Sequence, residues 1–283
     1  MSALSSFSFT KMHGLGNDFV LLDGYTQPMH LNPDMIRELA HRRLGVGCDQ
    51  VLVAEKPSKK EADFFYRIYN SNGSEARQCG NGARCFAIFV YTQGLTDKRH
   101  LKLQTSTSMI EAHIEDNGEV SVDMGEPCFA PETLPFTGGL GAIVESLDLL
   151  GESVPITALS MGNPHAVQIV PNVAEAPVLT QGPFIETHVR FPDGVNAGYA
   201  QILDRERIRI RVWERGAGET LACGTGACAA VVTGIRRGLL DRKVSVETSG
   251  GFLSVNWLAD QSSVILRGPA TTTFEGTWRP SFT

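Results

Sequence analysis

The chain has 283 residues, of which 42% are apolar and 20% charged, and its formal net charge is −6. This length suits two soluble domains of ordinary size, and no apolar run reaches the roughly 18 to 20 residues that a membrane span needs. Nucleic acid is disfavoured as the main partner, because phosphate binding depends on clustered Lys and Arg. No basic segment followed by an apolar one opens the chain, so we expect a cytoplasmic protein.

Six cysteines are spread along the chain, at positions 48, 79, 85, 128, 223 and 228. They are too sparse over this length to form a disulfide framework, so we expect them to be thiols. Two of them, Cys79 and Cys223, belong to a motif that occurs twice.

The first half of the chain alternates predicted strands with a few helices. Strands are predicted at residues 7–12, 19–23, 50–54, 63–69, 101–105, 109–114 and 120–124. Asn32 and Pro33 are typical of a helix start, which predicts a helix over residues 33–44 that ends at Gly45. A second, nearly all-apolar helix is predicted from Gly80 to about Gly94.

The second half repeats the first in the same order. Residues 70–85 read N-S-N-G-S-E-A-R-Q-C-G-N-G-A-R-C, and residues 214–230 read E-R-G-A-G-E-T-L-A-C-G-T-G-A-C-A-A. An offset of 144 superposes these pairs: Cys79 and Cys223, Glu75 and Glu219, Gly80 and Gly224, Gly82 and Gly226, Ala83 and Ala227. An offset of 146 superposes Asn17 on Asn163 and Gln50 on Asn196. Packing alone does not explain such a repeat, so we predict a duplicated domain.

The break at residues 125–127 is the predicted domain crossing. We expect one domain at residues 1–124, completed by residues 269–283, and the other at 125–268. The helices that follow the two cysteines are apolar on nearly every face, so each must be surrounded by other elements. The predicted fold is α/β, of the α+β type, with two pseudo-symmetric domains that each curl a mainly antiparallel sheet around a central helix.

The repeated cysteines point to acid–base chemistry. Each sits at a loop-to-helix junction, where unpaired N–H groups and the helix dipole favour a thiolate. Two thiols that face one ligand suit removal of a proton from one face of a carbon and its return to the other, which inverts a stereocentre. Backbone N–H groups can stabilise the charge on the substrate carboxylate. Those expected to do so belong to Gly80, Asn81, Gly224 and Thr225.

Other uses of the cysteines remain open. A split four-thiolate zinc site is conceivable, but helical spacing turns Cys85 and Cys228 away from Cys79 and Cys223. A redox dithiol is conceivable too, although neither repeated cysteine lies in a Cys-x-x-Cys motif. Pyridoxal phosphate needs a Schiff-base lysine, and none of the seven lysines lies in the repeated loops. A cofactor-free, metal-free site is therefore favoured.

Four motifs carry a close resemblance to the diaminopimelate epimerase family over essentially the whole chain. They are M-H-G-L-G-N-D-F at 12–19, Q-C-G-N-G-A-R-C-F-A at 78–87, S-M-G-N-P-H at 160–165 and the block at 214–230. The resemblance implies interconversion of LL- and meso-2,6-diaminopimelate without cofactor or metal. Proline racemases and the isomerase of phenazine biosynthesis, which belong to the wider fold group, rank second.

The resemblance also implies roles for individual residues. Cys79 matches the proton donor and Cys223 the acceptor in the direction usually written, and His165 and Glu214 match groups that assist the thiols. Other residues match substrate-binding positions: Asn17, Gln50, Asn70, Gly80, Asn81, Asn163, Asn196, Glu214, Arg215, Gly224 and Thr225. A homodimer is implied, to which the C-terminal region contributes, with Phe274 near a position where the family often has tyrosine.

A non-catalytic amino-acid binding module is the alternative outside enzymes. Such a module would close over diaminopimelate and leave its chirality unchanged. A chiral assay on the LL isomer separates the two hypotheses.

Overall fold

The computed structural model describes residues 6–27, 29–76, 79–130, 134–149 and 151–281. The chain divides into two compact units, one made of Met1–Val122 with Gly268–Thr283 and the other of Asp123–Arg267. The α-helices of the described residues are α1 (Pro33–Ala40), α2 (Gly80–Thr92), α3 (Val178–Glu186) and α4 (Gly224–Arg236). No helix in these residues is long and apolar enough to cross a membrane.

Eight strands pair in the described part of the first unit. They are β1 (Phe7–Gly14), β2 (Asn17–Asp23), β3 (Gln50–Glu55), β4 (Phe64–Asn70), β5 (His100–Gln104), β6 (Met109–Ile114), β7 (Val120–Asp123) and β17 (Thr271–Trp278). Their order is β17-β1-β2-β3-β4-β5-β6-β7. The pairs β2–β3 and β4–β5 are parallel, and the other neighbours are antiparallel.

The second unit has the same arrangement. Its strands are β8 (Glu145–Leu149), β9 (Glu152–Ser160), β10 (Pro164–Ile169), β11 (Asn196–Asp204), β12 (Arg207–Glu214), β13 (Gly218–Thr220), β14 (Lys243–Thr248), β15 (Gly251–Asn256) and β16 (Ile265–Gly268). The order is β8-β9-β10-β11-β12-β14-β15-β16, with β10–β11 and β12–β14 parallel and the short β13 also paired with β12. Strand β17 thus has the place in the first sheet that β8 has in the second.

Each unit surrounds one apolar helix with its strands. Helix α2 contacts β1, β2, β3 and β6, and α4 contacts β9 to β12 and β15. Most of their side chains are buried, including Ala83, Phe86, Ala227 and Val231. The predicted α/β fold, with mainly antiparallel strands and few helices, is confirmed.

The end predicted for the first helix is wrong by four residues. Asn32 caps α1 as expected, because its side chain accepts a hydrogen bond from the Met35 N–H. The helix nevertheless ends at Ala40 and not at residue 44. The His41 ring explains the early end, since its Nδ1 accepts from the N–H groups of Arg43 (3.1 Å) and Leu44 (3.0 Å). Those groups would otherwise donate to carbonyls of a longer helix.

Candidate active site

Cys79 is the N-cap residue of helix α2, immediately before Gly80. Its backbone is extended (φ −152°, ψ 108°), and its Sγ accepts a hydrogen bond from the Gly82 N–H at 3.3 Å. The sulfur therefore takes the place of the Ser or Asp oxygen that usually caps a helix. Arg77 and Gln78, which precede it in the motif, lie outside the described residues.

Cys223 begins helix α4 with the same geometry. Its backbone is extended (φ −111°, ψ 112°), and its Sγ accepts from the Gly226 N–H at 3.3 Å. Each sulfur thus lies at the positive end of a thirteen-residue helix.

The second glycine of each motif is required by close packing. A Cβ on Gly82 would lie 2.3 Å from the Tyr66 hydroxyl oxygen and 3.3 Å from the Cys79 sulfur. A Cβ on Gly226 would lie 2.9 Å from Val212 Cγ2 and 3.2 Å from the Cys223 sulfur. Only glycine lets the preceding strand pack against the capped helix start.

The repeated glutamate has a structural role in both units. In the first unit, Arg67 Nη1 donates to Glu75 Oε1 at 3.0 Å. In the second, Arg211 donates through Nε and Nη2 to Glu219 at 2.6 and 2.9 Å. These ion pairs join the strand that precedes each cysteine, β4 or β12, to the segment that lies between that strand and the cysteine. The two arginines are themselves 144 residues apart, a signal in the repeat that the sequence analysis missed.

Asn17 lies close to the first cysteine. Its Oδ1 is 3.3 Å from Asn81 Nδ2 and 4.0 Å from Cys79 Sγ. Its Nδ2 donates to Asp49 Oδ2 at 2.8 Å. The sequence analysis did not single out Asp49, although it stands beside the candidate Gln50.

Gln50 and Asn70 are opposite each other on β3 and β4. Gln50 Nε2 donates to Asn70 Oδ1 at 3.0 Å, and Asn70 Nδ2 donates to Ser74 Oγ at 3.1 Å. The buried Oε1 of Gln50 has no hydrogen-bond partner among the described residues, which leaves it able to accept from a ligand.

Asn163 in the second unit contacts two other candidate residues. Its Nδ2 donates to Thr225 Oγ1 at 3.4 Å, and its Oδ1 lies 3.1 Å from His165 Nε2. Thr225 Oγ1 is in turn 3.5 Å from Cys223 Sγ. A continuous polar chain therefore runs from His165 to the second cysteine.

His165 is fully buried and uncharged near neutral pH. Burial, assisted by the positive charge of Arg215, lowers the pKa of His165 to about 3. Its Nδ1 is buried and has no hydrogen-bond partner among the described residues. Because a buried unpaired N–H is costly, the single ring proton belongs on Nε2, which donates to Asn163.

Cys223 does not have the lowered pKa that its helix position suggests. Burial, followed by the negative charge of Glu214, raises the pKa of the Cys223 thiol well above its usual value. The hydrogen bonds from Thr225 and the Gly226 N–H oppose this shift and are weaker. The expectation that the helix end favours a thiolate is wrong for this residue in its solvent-free surroundings.

Arg215 and Asn196 are two further candidate residues of the second unit. Together with Asn163, His165, Cys223 and Thr225 they form its cluster of candidate residues. Asn196 Oδ1 accepts from the Arg215 backbone N–H at 2.9 Å, and Asn196 Nδ2 donates to the Pro164 carbonyl at 3.1 Å. The Arg215 guanidinium donates to the Asp193 carbonyl at 2.7 Å. Arg215 also lines an open cavity of about 540 Å³ whose other walls are residues 186–189 and 191–194.

Glu186 is a residue near this cluster that the sequence analysis missed. Its Oε2 accepts from Trp213 Nε1 at 2.6 Å, and its Oε1 accepts from the Gly216 N–H at 2.7 Å. These donors flank Glu214 and Arg215 on both sides. One carboxylate at the end of α3 thus fixes the turn that carries two candidate residues.

The remaining cysteines have no place in the candidate site. Cys48, Cys85 and Cys228 are buried. Burial raises the pKa of Cys48 and that of Cys85 to about 12. Cys128 pairs through its backbone with Ser160. Within the described ranges, no group of three or more His, Cys, Asp or Glu residues is arranged to hold a metal ion.

Comparisons with known proteins identify the family of this chain. The family model described as diaminopimelate epimerase matches residues 9–130 and 157–273. A diaminopimelate epimerase of Aromatoleum aromaticum is 55% identical, over 96% of this chain and 98% of its own length. Another, from Paraburkholderia phytofirmans, is 56% identical over 95% of this chain and 93% of its own.

Solved structures share the fold at much lower identity. A hydroxyproline epimerase from Agrobacterium vitis has a TM-score of 0.71 and 14% identity, over 97% of this chain and 92% of its own. A phenazine biosynthesis protein of the PhzF family from Bacillus anthracis has a TM-score of 0.70 and 15% identity, over 97% and 99%. The identity to the curated relatives, over nearly the whole of both chains, shows that this chain belongs to the diaminopimelate epimerase family.

Proposed function

We propose that this chain is a cofactor-independent isomerase that interconverts LL- and meso-2,6-diaminopimelate, with Cys79 and Cys223 as the two proton-carrying groups. The observation that carries the proposal is that each cysteine caps a helix in the same geometry, one in each of two units with the same strand order. Family membership supports the substrate. We also propose two domains, residues 1–124 completed by 269–283 and residues 125–268. The two compact units, Met1–Val122 with Gly268–Thr283 and Asp123–Arg267, support this division.

The reaction needs one thiolate and one thiol on opposite faces of the α-carbon. In the LL-to-meso direction, the Cys223 thiolate takes the α-proton as the Cα–H bond breaks. The Cys79 thiol then gives its proton to the opposite face, so that the two sulfurs exchange protonation states. The electron pair left on the α-carbon delocalises into the carboxylate. The first-turn N–H groups of both helices are suited to stabilise that charge: Gly80, Asn81, Gly224 and Thr225.

Glu214 is the proposed proton acceptor for the thiol of Cys223. A buried thiol with a raised pKa cannot lose its proton to water readily, and the Glu214 side chain is a hydrogen-bond partner of Cys223. Glu214 therefore accepts the Cys223 proton before the α-proton is removed. Its own Oε1 accepts a hydrogen bond from the Thr220 hydroxyl, which keeps the carboxylate in place.

The rest of the substrate is held by amides and one guanidinium. Asn17, Gln50, Asn70, Asn163 and Asn196 offer donors and acceptors to ammonium and carboxylate groups. Arg215 suits the carboxylate at the far end of diaminopimelate, because a guanidinium pairs with a carboxylate through two hydrogen bonds. Proline and hydroxyproline have no second carboxylate, which argues against a proline racemase activity.

We also propose that the chain works as a cytoplasmic homodimer. Strand β17 supports this assembly, because most of its residues are exposed and it pairs with β1 on one side. Phe274 is 47% exposed and packs edge-on against Phe9. The six cysteines, all within the described ranges, form no disulfide, and the proposed chemistry needs the thiols of Cys79 and Cys223. Sedimentation should give a dimer, and Phe274→Asp should shift it towards monomer.

The test of function is a chiral assay with LL-diaminopimelate in D2O under reducing conditions. We expect meso product with deuterium at the inverted α-carbon. Cys79→Ala and Cys223→Ala should each abolish turnover, whereas Cys128→Ala should keep it. Binding without inversion would establish the binding module instead, and racemisation of proline would favour the second enzyme class.

A further inference from the structure

Asn17 is held between two kinds of partner. On one side, its Oδ1 faces Asn81 Nδ2 at 3.3 Å and Cys79 Sγ at 4.0 Å. On the other side, its Nδ2 lies 2.8 Å from Asp49 Oδ2. An ionised carboxylate can only accept hydrogen bonds, so the nitrogen of the amide must face Asp49. The oxygen is then left facing the cysteine.

Asp49 itself is fixed in place by several contacts. Its Oδ1 accepts from Arg42 Nη2 at 2.6 Å, and its Oδ2 also accepts from the Asp18 N–H at 3.1 Å. The Asp49 N–H donates back to Asp18 Oδ1 at 2.9 Å. Burial opposes ionisation of Asp18, but hydrogen bonds from Arg42 and Lys11 outweigh it and hold the pKa of that carboxyl below its usual range. The network of Arg42, Asp18 and Asp49 therefore contains charged groups, and its hydrogen bonds fix the position of the Asp49 side chain.

We propose that Asp49 is a positioning residue, which orients the Asn17 amide so that a hydrogen-bond acceptor, and not a donor, faces the sulfur of Cys79. An acceptor beside the sulfur favours the protonated thiol over the thiolate. This suits the residue that gives a proton in the LL-to-meso direction. The consequence for turnover rests on the proposed function, whereas the effect on the sulfur does not.

Asp49→Asn tests the proposal because it replaces one acceptor oxygen by an NH2 group. The charged Arg42 donor keeps the remaining oxygen of the substituted side chain on its own side, at the cost of the hydrogen bond from the Asp18 N–H to the other oxygen, so the new NH2 group faces Asn17. The Asn17 amide then turns over and points its NH2 group at Cys79. Because an N–H donor stabilises a thiolate, the pKa of the Cys79 thiol should fall by about 0.5 to 1 unit.

The measurement is the rate at which iodoacetamide labels Cys79 as a function of pH. Full-length protein carrying Cys223→Ala isolates this thiol, and mass spectrometry of the Cys79 peptide separates it from the other cysteines. With Cys223 restored, Asp49→Asn should lower kcat about 10- to 100-fold and leave KM within about threefold, as expected for a misplaced group near the reacting atoms.

Asp63→Asn is the matched control. Asp63 makes comparable contacts elsewhere in the first unit, from Lys98 Nζ at 2.6 Å and from the Lys102 N–H at 2.8 Å. Its loss should cost similar stability without moving the labelling pKa of Cys79. The double variant Asn17→Asp/Asp49→Asn should reverse the shift, because the new amide at position 49 then donates to the new carboxylate at position 17, and an oxygen again faces the sulfur.

A labelling profile of Asp49→Asn that coincides with that of Asp63→Asn would overturn the proposal. The wild-type protein gives a second measurement that does not depend on folding of the variants. NMR should detect a scalar coupling across the hydrogen bond between Asn17 Nδ2 and the Asp49 carboxylate, and its absence in well-resolved spectra would also contradict the proposal. A chain that fails to epimerise diaminopimelate would refute the proposed function and leave both readouts intact.

Discussion

The two cysteine loops have the same backbone conformation, but the side chains around the two sulfurs differ. In both, the sulfur caps a thirteen-residue helix and a glycine three residues on gives it an N–H. The equivalent asparagines, Asn17 and Asn163, face opposite ways. Asn17 turns its oxygen towards the first helix, because Asp49 takes its NH2 group. Asn163 turns its NH2 group towards Thr225, because its oxygen accepts from His165.

This difference shows how a duplicated scaffold can support unlike proton-transfer roles. Cys79 lies beside an acceptor, which suits a thiol. Cys223 lies beside the Thr225 hydroxyl, which can donate to a thiolate because it already accepts from Asn163. The first contact favours a proton donor and the second favours a base, although burial and the charge of Glu214 raise the pKa of the Cys223 thiol.

Among substitutions that test the difference between the two sulfurs, Glu214→Gln should have the largest effect on kcat. Removal of the carboxylate charge should lower the pKa of the Cys223 thiol and still reduce kcat by roughly 100- to 1,000-fold, since a positioned proton acceptor is lost. Ultraviolet thiolate absorbance in a Cys79→Ala background measures the pKa. Glu219→Gln is the control, because Glu219 pairs with Arg211. An unchanged Cys223 pKa in Glu214→Gln would refute the pairing of the two groups.

Gly82→Ala should disturb the first loop more than Gly226→Ala disturbs the second. The added methyl group would lie 2.3 Å from the Tyr66 hydroxyl oxygen in one case and 2.9 Å from a Val212 methyl in the other. We expect Gly82→Ala to lose about 1 to 3 kcal/mol of unfolding free energy and about 100-fold in kcat.

Tyr66→Phe offers a rescue of that loss. It removes the oxygen that the new methyl group meets, so Tyr66→Phe/Gly82→Ala should recover part of the stability lost in Gly82→Ala. Thermal unfolding and kcat of the single and double variants measure the coupling. Fully additive effects would contradict the steric explanation.

Glu186→Gln should affect substrate binding more than chemistry. The glutamine side chain has one acceptor oxygen for two donors, Trp213 Nε1 and the Gly216 N–H, so one of the two hydrogen bonds is lost. The turn that carries Arg215 loosens, so we expect KM for diaminopimelate to rise about 10-fold while kcat falls less than about threefold. The reverse pattern in steady-state kinetics would place Glu186 closer to the reacting atoms than its contacts indicate.

A pH-dependent change of stability is expected at His165. The ordinary pKa of histidine is about 6.5, and in the folded protein that of His165 is about 3. Between these values the unfolded chain binds a proton that the folded chain does not. The free energy of unfolding should therefore fall with decreasing pH over that range, by up to about 1.4 kcal/mol per pH unit.

His165→Asn should show a shallower loss of stability below about pH 6.5. Above about pH 7 the unfolding free energies of variant and wild type should differ by a constant amount. Urea unfolding across the pH range measures both. Identical slopes in acid would mean that His165 is protonated in the folded protein.

Local sequence was sufficient to locate the starts of α1, α2 and α4 and the paired cysteines. Cys79 and Cys223 could be found because the sulfur, the glycines and the glutamate recur at one offset, and all of them act within a few residues of each other. Asn32 and Pro33 correctly predicted the start of α1 for the same reason.

Features that depend on distant residues could not be predicted in this way. Asp49 acts on Asn17 from 32 residues away, and Glu186 acts on the turn at Arg215 from the end of a helix that no periodicity indicated. The raised pKa of Cys223 depends on burial, which is a property of the tertiary fold. His41 ended α1 early through its side chain, although histidine is not a strong helix breaker.

The central claim is that each thiol serves one face of the α-carbon, and one-base variants test it most directly. In D2O, Cys79→Ala retains Cys223 and should exchange the α-proton of LL-diaminopimelate without forming the meso isomer. Cys223→Ala retains Cys79 and should exchange the α-proton of the D centre of meso-diaminopimelate without forming the LL isomer. Inversion by either variant, or exchange at the face whose cysteine has been removed, would contradict the two-thiol account.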